Sequence, residues 1–156
     1  MIVRLCNLAI LTLALFVADA HASSSPTAGD WIEIKRVIAA QREALMADDG
    51  ERAFSFAAPS IRRHFGDAST FMRMVRQGYE PLTTARYVEF LDGAVIAGDV
   101  VQPLRLVMPD GVVMVAIYGT QQQPDGSWRI TSCVIAPSTL RSASAGRCAD
   151  CGVWQT

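Results

Sequence analysis

The chain has 156 residues, with 14 basic and 15 acidic side chains and a formal net charge of −1. Because no basic excess is available to neutralise phosphates, nucleic acid and anionic membrane surfaces are poor candidate partners. Outside the N-terminal segment the only histidine is His64, which excludes a multi-histidine metal site within one chain.

The first 22 residues have the three parts of a secretory signal peptide. Met1–Arg4 carries one positive charge, and Leu5–Val17 is a mostly apolar run. Ala20-His21-Ala22 then matches a small-x-small cleavage site. The apolar run is shorter than the about 20 residues that a spanning helix needs. We therefore predict cleavage after Ala22, a periplasmic or secreted location, and no membrane association after cleavage.

Export changes how the cysteines are interpreted. Removing 22 of the 156 residues leaves 134, which suits one domain, and leaves Cys133, Cys148 and Cys151. Disulfides persist in oxidising compartments, so we predict a structural disulfide. A disulfide from Cys133 to one of the two tail cysteines would tether the tail to the last predicted strand. The sequence does not fix which cysteines pair, and an odd count leaves one thiol over or pairs it between chains.

The spacing Cys148-x-x-Cys151 also suits two other roles. A redox dithiol would want its first cysteine at a helix N-terminus, and this pair follows an irregular Ser- and Ala-rich stretch. A zinc or copper site could add Cys133 but would still lack a fourth ligand. We predict no metal and no cofactor.

Residues 23–29 are small and polar and indicate a flexible leader. Asp30 followed by Glu33 is a capping pattern, and apolar residues at helical spacing behind it predict a helix over about 31–47. A short helical turn is expected over 51–57.

Proline and glycine mark the ends of the next two predicted helices. Pro59 suits a first helical position and Gly66 a C-terminal stop, which predicts a helix over 59–65. Asp67 or Ser69 caps another over about 69–78, with Phe71, Met74 and Val75 on one face.

From residue 84 the pattern changes to strands. Four are predicted: 84–91, about 94–108 with a break near residues 98–99, 111–121 and 127–136. Helices followed by an antiparallel meander indicate an α+β domain over 30–137. Residues 138–156 form a Ser/Ala-rich tail with the CxxC motif.

Several short segments carry a family resemblance over about residues 30–135. They are Ala47-Asp48-Asp49-Gly50, Ala53–Pro59, Ile61–Gly66, Phe71, Met74–Tyr79, Pro81, Pro109-Asp110-Gly111 and Gln123–Ile130. The chain resembles an uncharacterised exported bacterial family, a domain of unknown function, within the nuclear transport factor 2-like superfamily, whose members are cystatin-like α+β cones. The resemblance implies N-terminal helices packed on a curved four-stranded antiparallel sheet, with a cavity between them. It implies no reaction, ligand or catalytic residue.

The cone cavity suggests a set of candidate lining residues that are aromatic, acidic or basic. They are Phe54, Phe56, Tyr79, Tyr87, Glu89, Arg105, Tyr118 and Trp128. The alternative is that the aromatic residues fill the core, and that Glu89 and Arg105 face solvent across a half-buried strand.

No acid–base or nucleophile set emerges, so the sequence leaves enzymatic activity uncertain and leans against it. We expect a ligand-binding or accessory protein-interaction module for a small apolar or weakly anionic ligand, with a homodimer formed through the sheet as a further expectation. One alternative is a small-molecule lyase or isomerase that uses a tyrosine or Glu89 in the cavity. The other is a thiol redox or metal-handling protein that uses the CxxC motif.

Overall fold

The structure is a computed structural model that describes residues 25–138. Five helices come first, in the order α1 Ala28–Met46, α2 Gly50–Ser55, α3 Pro59–Phe65, α4 Ala68–Gly78 and α5 Pro81–Thr84. Five strands follow: β1 Tyr87–Phe90, β2 Ala94–Ile96, β3 Asp99–Val107, β4 Val113–Gln122 and β5 Trp128–Pro137. The α+β prediction is confirmed. The predicted signal peptide and the tail with Cys148 and Cys151 lie outside the described residues.

Helix α1 begins earlier than predicted. Thr27 is its N-cap, and the Thr27 hydroxyl accepts a hydrogen bond from the backbone of Asp30. The Asp30 carboxylate accepts in turn from the backbone of Thr27, which completes a capping box. Asp30 is therefore the third helical residue rather than the cap, and the end of the predicted leader is helical.

Helices α2, α3 and α4 lie where the sequence predicts them, because residues at their own ends fix where each begins or stops. The side chain of Asp49 caps α2, and that of Asp67 caps α4. Pro59 is at the first position of α3, and Gly66 follows with a φ of 77°. That left-handed backbone turns the chain between α3 and α4, and glycine adopts it without steric cost.

The strands form one antiparallel sheet in the order β1-β3-β4-β5, and β2 pairs with β3. The break predicted near residues 98–99 is confirmed. Ala97 and Gly98 have positive φ values and turn β2 back onto β3, so the predicted segment 94–108 forms two strands. The short helix α5 was not predicted. No helix of the described residues is long and apolar enough to cross a membrane.

Strand periodicity gives the sheet two different faces. The inner face packs against the helices and carries buried Leu104, Leu106 and Ala116. Val88 and Phe90 on β1 continue this face, since they pair with Leu106 and Leu104. The alternate residues point to the opposite, outer face. Glu89 and Arg105 are partners there, and they form an ion pair.

Candidate ligand-binding cavity

A cavity of about 360 Å³ lies between the helices and β5. Its volume falls at the lower end of the range of about 300–1,000 Å³ that is typical of small-molecule sites. Every helix except α2 contributes to the wall. The lining side chains that the helical region supplies are Gln41, Leu45, Ala57, Ile61, His64, Phe65, Phe71, Met74, Val75, Tyr79 and Leu82.

The apolar face of α4 forms a large part of this wall. Phe71 packs edge-on against Phe65 of α3, with ring centroids 5.7 Å apart. Met74 and Val75 follow one turn later on the same face, at the spacing of adjacent positions on a helix. The tight turn at Gly66 brings α3 beside α4, so two short helices present one continuous apolar wall.

The opposite wall is the free edge of β5, from Ile130 to Cys133. Near its start Ile130 is held by a parallel bridge to Ala57, in which the Ile130 amide donates to Phe56 and its carbonyl accepts from Ala58. Beyond Ile130 the β4–β5 pairing has an irregularity opposite Gly119 and Thr120. A bulge of this kind re-aims the residues that follow it.

Tyr79 connects the two walls. It follows α4, and its hydroxyl donates a hydrogen bond of 3.0 Å to the carbonyl oxygen of Cys133. Partial burial raises the pKa of the Tyr79 phenol, and the nearby Cys133 thiol adds to this effect. The neutral phenol is therefore the predominant form at physiological pH, and it acts as a hydrogen-bond donor rather than as a base.

A row of three polar side chains crosses the inner face, and its last member, Cys133, lines the cavity. Gln102, Tyr118 and Cys133 are direct register partners on β3, β4 and β5. Tyr118 and Gln102 are fully buried, and neither the Tyr118 hydroxyl nor the Gln102 side-chain oxygen has a hydrogen-bond partner among the described residues. Unpartnered buried polar groups are rare because desolvating them costs free energy.

Burial also sets the protonation of this row. It raises the pKa of the Cys133 thiol to about 12, and the Tyr118 hydroxyl opposes this rise. Burial likewise raises the pKa of Tyr118 well above its usual value, and Cys133 adds to this. The Tyr118 hydroxyl lies beside the Cys133 thiol without forming a hydrogen bond of normal geometry. Both groups are therefore protonated and uncharged.

Arg42 reaches the same region from α1. One of its terminal nitrogens donates to the Ala85 carbonyl at 3.3 Å, while its Nε is buried without a partner among the described residues. Burial lowers the pKa of Arg42, and the proximity of Tyr118 opposes that effect. This guanidinium lies behind the cavity wall and does not line the cavity.

A family model for a domain of unknown function, DUF4864, matches residues 27–143. The chain belongs to the DUF4864 family. The match begins at the cap of α1 and continues five residues past the last described residue. It extends beyond the 30–135 over which the sequence segments suggested a family. No curated protein and no solved structure matches the chain.

Of the eight residues predicted to line the cavity, Tyr79 is the one that lies in its wall. Tyr118 is buried behind that wall, beside Cys133. Trp128 is buried on the inner face, and its indole nitrogen donates to Asp30 at 3.0 Å. Phe56 is half-buried against the core.

The other four predicted residues lie elsewhere. Phe54 is buried against Phe71, with ring centroids 5.3 Å apart, and the Arg62 guanidinium lies over the Phe54 ring, 5.8 Å from its centroid. Tyr87, Glu89 and Arg105 belong to the outer sheet face. They alternate with Val88 and Phe90, which pack on the core, so strand parity directs them away from the cavity.

The remaining sequence predictions concern the cysteines and metal binding. Cys133 is a free thiol among the described residues and faces the cavity, so its predicted bond to the tail stays a prediction. Within residues 25–138 no three His, Cys, Asp or Glu side chains converge in a way that could hold a metal ion.

Sequence reasoning missed most of the actual wall, including Ile61, His64 and Met74. The amphipathic pattern of α4 was the one sequence signal that pointed to it.

Proposed function

We propose that the DUF4864 domain is an exported, non-catalytic module that binds a small, neutral, mostly apolar molecule in the cavity between its helices and β5. The observation that carries this proposal is the chemistry of the wall. Apolar side chains from α1, α3, α4 and α5 surround about 360 Å³ of space. A concave, mostly apolar space of this size with a few polar groups is typical of small-molecule sites.

The polar groups of the wall favour an uncharged ligand. No carboxylate, lysine or arginine is among the described lining residues, and exposed His64 is the one ionisable group besides Tyr79 and Cys133. A charged ligand would therefore lose its hydration without gaining a partner. Arg105 could have supported a weakly anionic ligand, but it lies on the outer face.

The same residues argue against the lyase or isomerase alternative. Such chemistry needs a base whose pKa is close to the working pH. Glu89 is on the outer face, and the pKa values of Tyr79 and Cys133 are raised by burial, which keeps both groups protonated. The wall can bind and orient a molecule. Its one other ionisable group, His64, is exposed and has no carboxylate among the described lining residues to orient it as a base.

Export is part of this proposal, and it is supported by the signal-peptide pattern of residues 1–22. Membership of the nuclear transport factor 2-like superfamily is proposed on two grounds. The helices precede an open antiparallel sheet, and the cavity lies between these layers. The thiol redox and metal-handling alternatives depend on Cys148 and Cys151, outside the described residues.

The proposal is tested with a neutral fluorescent probe, N-phenyl-naphthylamine, added to the chain without its predicted signal peptide. We expect saturable binding with enhanced, blue-shifted fluorescence. Ile61→Glu puts a carboxylate on the wall and should weaken probe binding by at least about tenfold, because burying that charge is costly. Ile32→Glu is the matched control, since Ile32 is exposed on α1 and does not line the cavity.

Circular dichroism establishes that both variants are folded. If Ile61→Glu unfolds the chain, Met74→Gln replaces it, because this change keeps the side-chain length and adds polarity to the same wall. Equal probe affinity in wall and control variants would overturn the proposal, and so would the absence of saturable binding in the wild type.

A further inference from the structure

Gln41 occupies a core position of α1 that its neighbours fill with apolar side chains. The buried residues of this helix recur at the spacing of one helix face, and they are Ile34, Val37, Ile38, Gln41, Ala44 and Leu45. A polar residue in the middle of such a face costs free energy unless its polar groups are hydrogen-bonded. Gln41 is nevertheless only 4% exposed.

One hydrogen bond of Gln41 is made within the chain. Its Nε2 donates to the carbonyl oxygen of Ala53 at 3.3 Å, and this bond ties α1 to α2. A glutamine amide has two N–H donors and an oxygen that can accept two hydrogen bonds. The bond to Ala53 uses one donor, and the Oε1 atom accepts no hydrogen bond from any residue that the structure describes. Half of the amide is therefore unused.

The unused part of this amide faces the cavity. Gln41 lines the cavity beside the buried residues Leu45, Val75 and Leu82, and we call this buried part of the wall the floor. His64 and Ser132 are exposed lining residues and form the rim. Because the rest of the Gln41 side chain is enclosed by the core, the cavity is the route by which a partner reaches Oε1.

We propose that the cavity binds an uncharged, otherwise apolar alcohol or phenol, whose hydroxyl donates a hydrogen bond to Oε1 of Gln41. The polar end of the ligand enters first and reaches the floor. Its apolar body packs against Val75 and Met74 and extends toward the rim. This inference rests on the proposed function of the cavity and names the chemical class of its ligand.

Other end groups fit this floor less well. A carboxylate only accepts hydrogen bonds, so it would place its charge against the oxygen of Gln41, and no lysine or arginine is among the described lining residues. An ammonium group can donate, but the described wall offers no carboxylate to replace its hydration. A plain hydrocarbon would cover Oε1 without giving it a partner, which costs free energy.

The test compares 2-naphthol with 2-methylnaphthalene, two neutral molecules of similar shape of which one carries a hydroxyl. Displacement of N-phenyl-naphthylamine from the chain without its predicted signal peptide measures both dissociation constants, corrected for the affinity of the probe in each variant. Gln41→Met keeps the length of the side chain and removes the amide. We expect it to weaken binding of 2-naphthol relative to 2-methylnaphthalene by at least about tenfold, because the buried hydroxyl loses its acceptor.

Gln102→Met is the matched control. Gln102 is also a buried glutamine, its Nε2 donates to backbone carbonyls, and its Oε1 has no partner among the described residues. Unlike Gln41, it does not line the cavity. The ratio of the two dissociation constants should therefore be the same in Gln102→Met as in the wild type.

A second measurement needs no variant, in case circular dichroism shows that Gln41→Met is unfolded. In the isotopically labelled wild type, the side-chain amide resonances of Gln41 should shift more on saturation with 2-naphthol than with 2-methylnaphthalene. Equal shifts with the two molecules would overturn the inference.

An unchanged ratio of the two dissociation constants in folded Gln41→Met would also overturn it. If N-phenyl-naphthylamine and both naphthalenes still bind saturably in that case, the proposed function stands and the recognition of a hydroxyl fails. Absence of saturable binding of all three molecules to the wild type would overturn the proposed function, and this inference with it.

Discussion

The Tyr79 hydroxyl donates a hydrogen bond to the carbonyl oxygen of Cys133, 54 positions further along the chain. The bond joins the end of α4 to the middle of β5, where the strand has no neighbouring strand on that side. Both residues line the cavity. Together with the bridge between Ala57 and Ile130, this contact ties the helical wall to the strand wall.

Tyr79→Phe should lower the free energy of unfolding by about 0.5–1.5 kcal/mol, the usual net contribution of one hydrogen bond. Urea denaturation followed by circular dichroism measures the change. Tyr87→Phe is the control, because Tyr87 is exposed on the outer face, and it should stay within about 0.5 kcal/mol of the wild type. Equal effects of the two changes would show that the bond does not hold the walls.

Tyr118→Phe should change the free energy of unfolding in the opposite direction to Tyr79→Phe. Its hydroxyl is fully buried and lacks a partner among the described residues, so removal relieves a desolvation cost. We expect unfolding free energy to be unchanged or to rise by up to about 1–2 kcal/mol. Leu104→Ala, a cavity-forming change at a buried neighbour, should instead cost about 2–5 kcal/mol. A loss above about 1 kcal/mol in Tyr118→Phe would reveal a hydrogen-bond partner.

The Cys133 thiol should be almost unreactive in the folded protein. With a pKa of about 12, its thiolate fraction at pH 8 is about 10⁻⁴, against roughly a tenth for an unperturbed thiol with a pKa of 9.0. Iodoacetamide should therefore alkylate it about a thousandfold more slowly than in urea. The measurement uses mass spectrometry on a Cys148→Ser, Cys151→Ser variant without the predicted signal peptide. Fast alkylation of the folded protein at pH 8 would contradict this prediction.

The same raised pKa predicts how stability depends on pH. The folded state keeps the Cys133 proton up to about pH 12, while the unfolded chain loses it near 9.0. Stability is therefore complete below pH 9 and falls as pH rises toward 12. Cys133→Ser should flatten part of this decline in urea titrations. The remaining decline comes from tyrosines 79 and 118, whose pKa values are also raised.

Gly66 and Gly78 offer a comparison between two helix-end glycines. Gly66 has a φ of 77°, which strains any residue with a Cβ, so Gly66→Ala should cost about 1 kcal/mol or more. Gly78 ends α4 without a positive φ and with open space around it, so Gly78→Ala should gain about 0.4–1 kcal/mol. Thermal unfolding of both variants measures the difference, and a shift of the same sign would contradict it.

The parts of the fold that depend on neighbouring residues could be predicted from sequence. Pro59 and Gly66 mark both ends of α3 because each restricts or frees its own backbone. The start of α1 was predicted three residues late, since both Thr27 and Asp30 are capping residues and only the structure shows which one caps. The helix α5 has four residues, too few to give a periodic pattern.

The cavity could not be predicted in the same way. Its wall combines Ile61, Met74 and Cys133 from three elements, and their convergence depends on how the helices pack across β5. Strand parity is also the reason that Glu89 and Arg105 do not line the cavity. Glu89 and Arg105 alternate with core residues, and the sequence could not show which parity faces the helices.

The most direct test of the account is a nuclear magnetic resonance titration of N-phenyl-naphthylamine into the isotopically labelled chain without its predicted signal peptide. We expect saturable shifts of the amides of residues 74–79 and 130–133, on the two walls, and unchanged amides at Ile117 and Val134 on the outer sheet face. Shifts confined to the outer face, or no saturable shifts, would contradict the claim that the space between the helices and β5 is a binding site.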